Sequence, residues 1–242
     1  MVNRDSIHSN ELRLREARRK LLVATAASTA GILLASCAAS ARGGDSPSSQ
    51  SQGTEAEVTP GEDLMQEHGV IERVLLIYDE AARRIEQGQQ LELSVLSGAG
   101  LIVRRFVAEY HEKLEEQFVF PPLQKAGRES ELVAVLLRQH ERGRQLTEEI
   151  VKRAQSAASP ELAQALRAFV RMYRPHAARE DTVVFPAFRD VVGGAAYREL
   201  GEQFEDKEHQ LFGEHGFENI VKEVSKLEAA LKIDNLADFT PP

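Results

Sequence analysis

The sequence holds a single cysteine, Cys37, among 242 residues, and no tryptophan. One cysteine excludes a disulfide within the chain and a thiolate metal cage. Also missing are a phosphate-binding glycine loop, a dinucleotide fingerprint and a nucleophile–base motif, so none of these names a reaction. Positive charge is scarce: 30 Lys and Arg stand against 38 Asp and Glu, a formal net charge of −8. Beyond residue 36 the balance is 24 basic to 35 acidic residues, a net charge of −11. A surface that acidic repels phosphate, which sets nucleic acid aside as a partner. The hydrophobic share of 42% is ordinary for a globular protein, so disorder throughout is excluded. The length allows one single-core domain with extra segments.

One stretch, Leu21–Ala35, carries no charge at all and follows the basic segment Arg13–Lys20. It is short for a transmembrane helix, which needs about 20 residues, but fits the apolar core of a secretory signal. It ends in Leu34-Ala35-Ser36-Cys37, which resembles a bacterial lipoprotein box. That resemblance implies cleavage before Cys37 and lipidation of the new N-terminal cysteine. Arg18-Arg19-Lys20-Leu21-Leu22 resembles a twin-arginine signal, a route that carries folded proteins. The expectation is an export signal over 1–36, a cell-envelope location, and membrane attachment through lipid on Cys37 alone. A retained anchor and a chance apolar stretch are the alternatives, and the choice of export route stays open. Residues 37–61, rich in Ser, Gly, Gln and Glu, read as a flexible tether.

From Glu62 onward the apolar period is helical. Leu64, His68, Ile71, Leu75 and Tyr78 form a first stripe, and Val103, Val107, His111, Leu114 and Phe118 a second. Val133, Leu137, His140, Thr147 and Val151 form a third, and Leu162, Leu166, Phe169, Tyr173, His176, Glu180 and Val183 a fourth. Gly88, Pro121-Pro122, Ser156–Pro160 and Gly193-Gly194 read as stops. The pattern predicts an all-α fold, with an antiparallel four-helix bundle over 62–192. Two additional C-terminal helices, Tyr197–Phe212 and Phe217–Lys232, occupy 193–242.

The bundle repeats a pattern. His111-x3-Glu115-x4-Phe120-Pro121 recurs as His176-x3-Glu180-x4-Phe185-Pro186. Each copy follows a helix with one His on its apolar stripe, His68 and then His140. Each half thus offers two histidines and one glutamate, and antiparallel halves bring the two sets together around a pseudo-twofold axis. Residues four apart share a helix face, and here that face is apolar. Burying an ionised carboxylate without a partner is very costly. No Lys or Arg shares the stripes beside Glu115 and Glu180, whereas two divalent cations would satisfy both. The absence of sulfur weakens structural zinc. Imidazole with carboxylate suits iron, with manganese and zinc as rivals.

With these residues in hand, the chain from Asp63 to Val192 resembles the hemerythrin-like, His-His-Glu cation-binding domain. The stretches that carry the likeness are Glu67-His68, His111-Glu112-Lys113-Leu114-Glu115, Gln139-His140, Pro175-His176-Ala177-Ala178-Arg179-Glu180-Asp181 and Phe185-Pro186. The resemblance implies two Fe ions bridged by Glu115, Glu180 and an oxygen species, with His68, His111, His140 and His176 as terminal ligands. Oxygen-carrying members place another His four residues after the helix-three ligand; here that residue is Arg144. Glu112 either replaces the missing imidazole, as in the iron-sensing hemerythrin domains of eukaryotic ubiquitin ligases, or faces solvent. Arg144 either reaches Glu112 or a bound anion, or extends to water. Tyr110 and Tyr173 either donate a hydrogen bond at the site or pack in the core. His209 and His215, flanking Gly213, read as surface residues, with an extra metal site or support for the centre as the alternative.

Three functions compete. A binding or sensing protein takes up iron, O2, NO or peroxide; an oxidoreductase destroys peroxide or reduces NO; a structural bundle holds zinc or nothing. Buried glutamates argue against the third, because bundle stability does not need them.

Overall fold

The computed structural model describes residues 58–241, and among these every regular element is helical. The expected export signal, Cys37 and most of the expected tether lie outside the described residues. The first helix, α1, is Pro60–Glu86, so Pro60 and Gly61, read above as the end of the tether, belong to the bundle. A capping box sets this start: Thr59 Oγ1 accepts the Glu62 N–H, and the Glu62 carboxylate accepts the Thr59 N–H at 2.9 Å. Pro60 occupies the first turn, where its missing N–H costs nothing. Gly61 is pinned further by its N–H, which donates to the Tyr197 hydroxyl at 3.0 Å. The helix ends at Gly88, whose φ of +64° suits glycine.

The second helix, α2, runs unbroken over 93–125 and changes pitch on the way. Leu93–Ile102 is α-helical, Val103–His111 is π-helical, Glu112–Leu114 makes one α turn, Glu115–Val119 is π-helical, and Phe120–Lys125 is α-helical. Pro121-Pro122 is therefore not a stop. The turn before it widens, so that the Phe120 N–H donates to the Glu115 carbonyl five residues back. A proline in a regular α turn would clash with the carbonyl four residues before it; the wider turn accommodates the ring. The chain turns only at 126–129.

The third helix, α3, is Ser130–Ala154. The fourth, α4, runs over 160–192, starting under a Ser159 side-chain cap at Pro160–Arg179. It contains the same device as α2: a π segment, Glu180–Val184, in which the Phe185 N–H donates to the Glu180 carbonyl, ahead of Pro186. The duplicated sequence motif is thus duplicated backbone. One consequence is a shift of register. Val119 and Val184, four residues after the two glutamates, are buried, while Val183 is 36% exposed and Phe118 only half-buried.

Helices α1–α4 form the antiparallel bundle, whose core includes Leu64, Val74, Leu75, Phe106, Leu136, Leu166 and Phe169. Burying such side chains contributes roughly 1.5–3 kcal/mol each. Two further helices, α5 (Gly194–Phe212) and α6 (Gly216–Leu231), lie outside it. Arg73 of α1 holds α6 through Glu228 and Ser225, and Arg84 donates to the Leu231 carbonyl. No described helix is long and apolar enough to cross a membrane.

Candidate metal centre

Six predicted residues meet inside the bundle: His68 from α1, His111 and Glu115 from α2, His140 from α3, and His176 and Glu180 from α4. None is more than 3% exposed. The imidazoles form two pairs. His68 Nε2 lies 3.1 Å from His111 Nε2, and His140 Nε2 lies 3.2 Å from His176 Nε2. The carboxylates lie between the pairs. Glu115 Oε1 is 3.7 Å from His111 Nε2, and Glu115 Oε2 is 3.4 Å from His140 Nε2. Glu180 Oε2 is 3.5 Å from His68 Nε2 and 3.0 Å from His176 Nε2.

The outer ring nitrogens explain why all four Nε2 atoms point inward. His111 Nδ1–H donates to Glu67 at 2.7 Å, and His140 Nδ1–H donates to Glu116 at 3.2 Å. His176 Nδ1–H donates to Gln139 Oε1 at 2.9 Å, and His68 Nδ1–H donates to Asp181 at 2.6 Å. An acceptor at Nδ1 places the proton there and leaves Nε2 as a donor atom for a metal. These bonds close a ring through the bundle, from α1 to α2, α2 to α3, α3 to α4 and α4 back to α1. The two phenylalanines of the repeat add the same symmetry, Phe120 stacking on His140 and Phe185 on His68, each at 5.6 Å between ring centroids.

The residues fit metal cations. All four carboxylate oxygens of Glu115 and Glu180 are buried without an aligned hydrogen-bond donor, which is costly unless a cation sits among them. Two imidazoles at right angles on one ion, with bonds of about 2.1 Å, are about 3 Å apart, as each Nε2 pair is. Clusters of possible ligands form accordingly: His68, His111 and Glu115 on one side, and Glu115, His140, His176 and Glu180 on the other. With protons as the only cations, the site still collects positive charge. Burial would lower the His68 imidazole, but bonds to Asp181 and Glu180 and the charge of Glu115 hold it at about 10. Burial likewise opposes His140, yet Glu115, Glu116 and Glu180 keep it well above its usual range. Burial pushes His111 down to about 4. In the first pair an imidazolium, His68, thus stands beside a neutral ring, His111.

Glu112 is the one predicted ligand that does not join these two clusters. It is buried, but Tyr173 donates its hydroxyl to Glu112 Oε1, and Arg144 Nη2 lies 2.8 Å from Glu112 Oε2. Arg144 also bonds Glu116. The Tyr110 hydroxyl lies beside Glu67. Among the described residues, His209 and His215 join no cluster of possible metal ligands. The sequence reading gives no role to Glu116, nor to Glu67, Gln139 and Asp181 of the motif stretches, although each is the immediate neighbour of a site residue.

The family model of the hemerythrin HHE cation-binding domain matches residues 59–188, more than half of the chain and every residue of the centre. The chain belongs to the hemerythrin HHE family. Uncharacterized proteins of Mycobacterium bovis and Mycobacterium tuberculosis are 43% identical to it over 231 residues, covering 93% of this chain and 91% of theirs. That span exceeds the HHE domain, so the likeness extends into the flanking segments. No match is found among solved structures.

Proposed function

We propose that this hemerythrin HHE protein is a non-haem di-iron protein that binds or senses a small ligand: iron itself, O2, NO or peroxide. The observation that carries the reading is the pair of imidazole pairs, 3.1 and 3.2 Å between Nε2 atoms, joined by two donor-less carboxylates. In this reading His68 and His111 would hold one ion and His140 and His176 the other, with Glu115 and Glu180 offering oxygens to both. Nitrogen and oxygen donors without sulfur favour iron. Bound iron supplies a redox-active Lewis acid. The protein's own part is to orient and exclude. The Nδ1 acceptors fix each ring, and the aromatic and aliphatic core keeps bulk water out.

A second reading, an oxidoreductase acting on peroxide or NO, is favoured by Arg144. It turns to Glu112 and Glu116, so the residues present would offer each ion two imidazoles and no third. Two imidazoles with a carboxylate and open positions is an arrangement that reacts with oxygen in non-haem iron proteins. Export to the cell envelope with lipid on Cys37 belongs to the same proposal and is supported by residues 13–37 of the sequence alone.

Metal analysis of protein from iron-replete cells tests the first step, and iron at about two per chain is expected. A stoichiometric zinc load would overturn it. Mixing the reduced protein with air-saturated buffer or peroxide separates the two readings: reversible uptake marks a binder, and repeated consumption marks an enzyme.

A further inference from the structure

The two halves of the centre share one plan but differ in charge around it. His111 is followed by Glu112, but His176 by Ala177. Glu116 and Asp181 are counterparts, each accepting from the Nδ1 of a site histidine on the next helix. Only Glu116 has a second carboxylate, Glu112, beside it and a guanidinium lodged between the two. Arg144 Nη2 bonds Glu116 and sits 2.8 Å from Glu112 Oε2. Glu112 Oε2 is buried and, despite that charge, receives no aligned N–H. Together Glu112, Glu116 and His140 form a third cluster able to hold a metal ion.

This third cluster shares His140 with the centre and reaches nearer to water through Glu116, which is 18% exposed. Beside it, a surface cleft of about 280 Å³ is lined by Ala108, Glu109, Lys113, Arg144 and Thr147 among others. Lys113 and Arg144, two walls of that cleft, are the two cations that bond Glu116. Glu116 bonds His140, whose other nitrogen faces the centre. The centre itself is closed, since its six residues are at most 3% exposed, so an ion reaches it only past side chains that move. The Arg144 side chain is 28% exposed on a long stem, so it can swing to water without unpacking the core once another cation takes over its carboxylates.

We propose that Glu112 and Glu116 form a loading site for a divalent cation on its way to the centre, and that the Arg144 guanidinium fills this site until the ion displaces it. The inference rests on the reading of the centre as a metal site. An incoming ion exchanges with the guanidinium at two carboxylates, then passes to the imidazole pair behind them. Lys113 remains to neutralise Glu116 after transfer. The two-halves symmetry supplies an internal control, because Asp181 lacks both the second carboxylate and the arginine.

The test uses the full chain, stripped of metal with a chelator, and cobalt(II) as the probe. Uptake is followed by rapid-mixing absorbance and the final content by metal analysis. Glu116→Gln retains an acceptor for His140 but loses the charge; uptake is expected to slow about tenfold while the final content stays the same as in the parent. Asp181→Asn makes the equivalent change on the other half, where neither a second carboxylate nor an arginine stands beside it, and is expected to slow uptake less than Glu116→Gln does. Arg144→Met keeps the apolar stem and removes the competing cation, and uptake is expected to quicken several-fold. Equal slowing by Glu116→Gln and Asp181→Asn, or slower uptake in Arg144→Met, overturns the loading site. Identical rates in all forms, with a full final load, overturn it too but leave the centre intact. No cobalt uptake by the parent chain overturns the centre and the loading site together.

Discussion

Asp181, on the fourth helix, accepts the Nδ1–H of His68 on the first at 2.6 Å. This one contact ties the beginning of the bundle to its end and sets the direction in which His68 offers its other nitrogen. Partners of this kind are worth about 10–100-fold in metal affinity. Asp181→Ala is therefore expected to weaken binding of one of two ions by that factor, through faster release, while the second ion is retained. Competition with a coloured chelator reads the two affinities; equal weakening of both ions, or of neither, would contradict the assignment of His68 to a single ion.

Glu180 should matter to both ions at once, because its Oε2 lies 3.0 Å from His176 Nε2 and 3.5 Å from His68 Nε2. Glu180→Gln is expected to cut the metal content to one ion or fewer. Glu112→Gln, which keeps an acceptor for Tyr173, is expected to hold both ions. Metal analysis of the two variants side by side decides this. A full load in Glu180→Gln, or a half load in Glu112→Gln, would exchange the roles given to these residues.

Removing the metal leaves Glu115 and Glu180 buried with only imidazolium for balance. Breaking a buried charge pairing costs about 3–5 kcal/mol, and for a domain of this size each kcal/mol is about 2–4 °C of melting temperature, so stripped protein is expected to melt about 10 °C lower. Calorimetry before and after chelation gives the value. Unchanged melting would mean that the cluster holds no cation in the native protein.

Gly69 sits in the interior of α1, next to His68, with nothing within 4 Å of where a Cβ would stand. Glycine inside a helix costs about 1 kcal/mol relative to alanine. Gly69→Ala is expected to raise the melting temperature by about 2–4 °C and to leave the metal content untouched. A loss of metal in this variant would show that the helix backbone beside His68 must flex for the ion to bind.

Most of the centre was legible in the sequence, and the reason is geometric. His111 and Glu115, like His176 and Glu180, are four residues apart, and that spacing alone places them on one face. Their repetition at equal spacing, each after a helix with a lone His, gives the pairing. What was not legible depends on the neighbouring helix. Glu67, Glu116, Gln139 and Asp181 each stand one residue from a site residue, hence about 100° around their own helix, which looks like the side of the bundle until the next helix is in place. Pro121-Pro122 reads as a stop by local rules, yet the wider turn at Glu115 carries α2 on to Lys125. Val183 was placed on the buried stripe by the same assumption of a regular pitch, and the wider turn buries Val184 in its stead. Arg144 had open choices in the sequence, and only the position of Glu112 and Glu116 settles which it takes.

The ring of four Nδ1 hydrogen bonds bears on how the protein matures. The α1–α2 hairpin alone contains His68 and His111, yet of these only His111 has its orienting partner, Glu67, within that hairpin. The α3–α4 hairpin alone likewise orients His176 through Gln139 but leaves His140 without Glu116. Each half-assembled molecule therefore owns two imidazoles with one of them free to swing, a poor grip on any ion. Closing the halves locks the second imidazole of both pairs in the same event and brings each glutamate to the opposite pair. Retention of the ion thus reports on completed assembly, and a chain that fails to join its two hairpins surrenders its cargo.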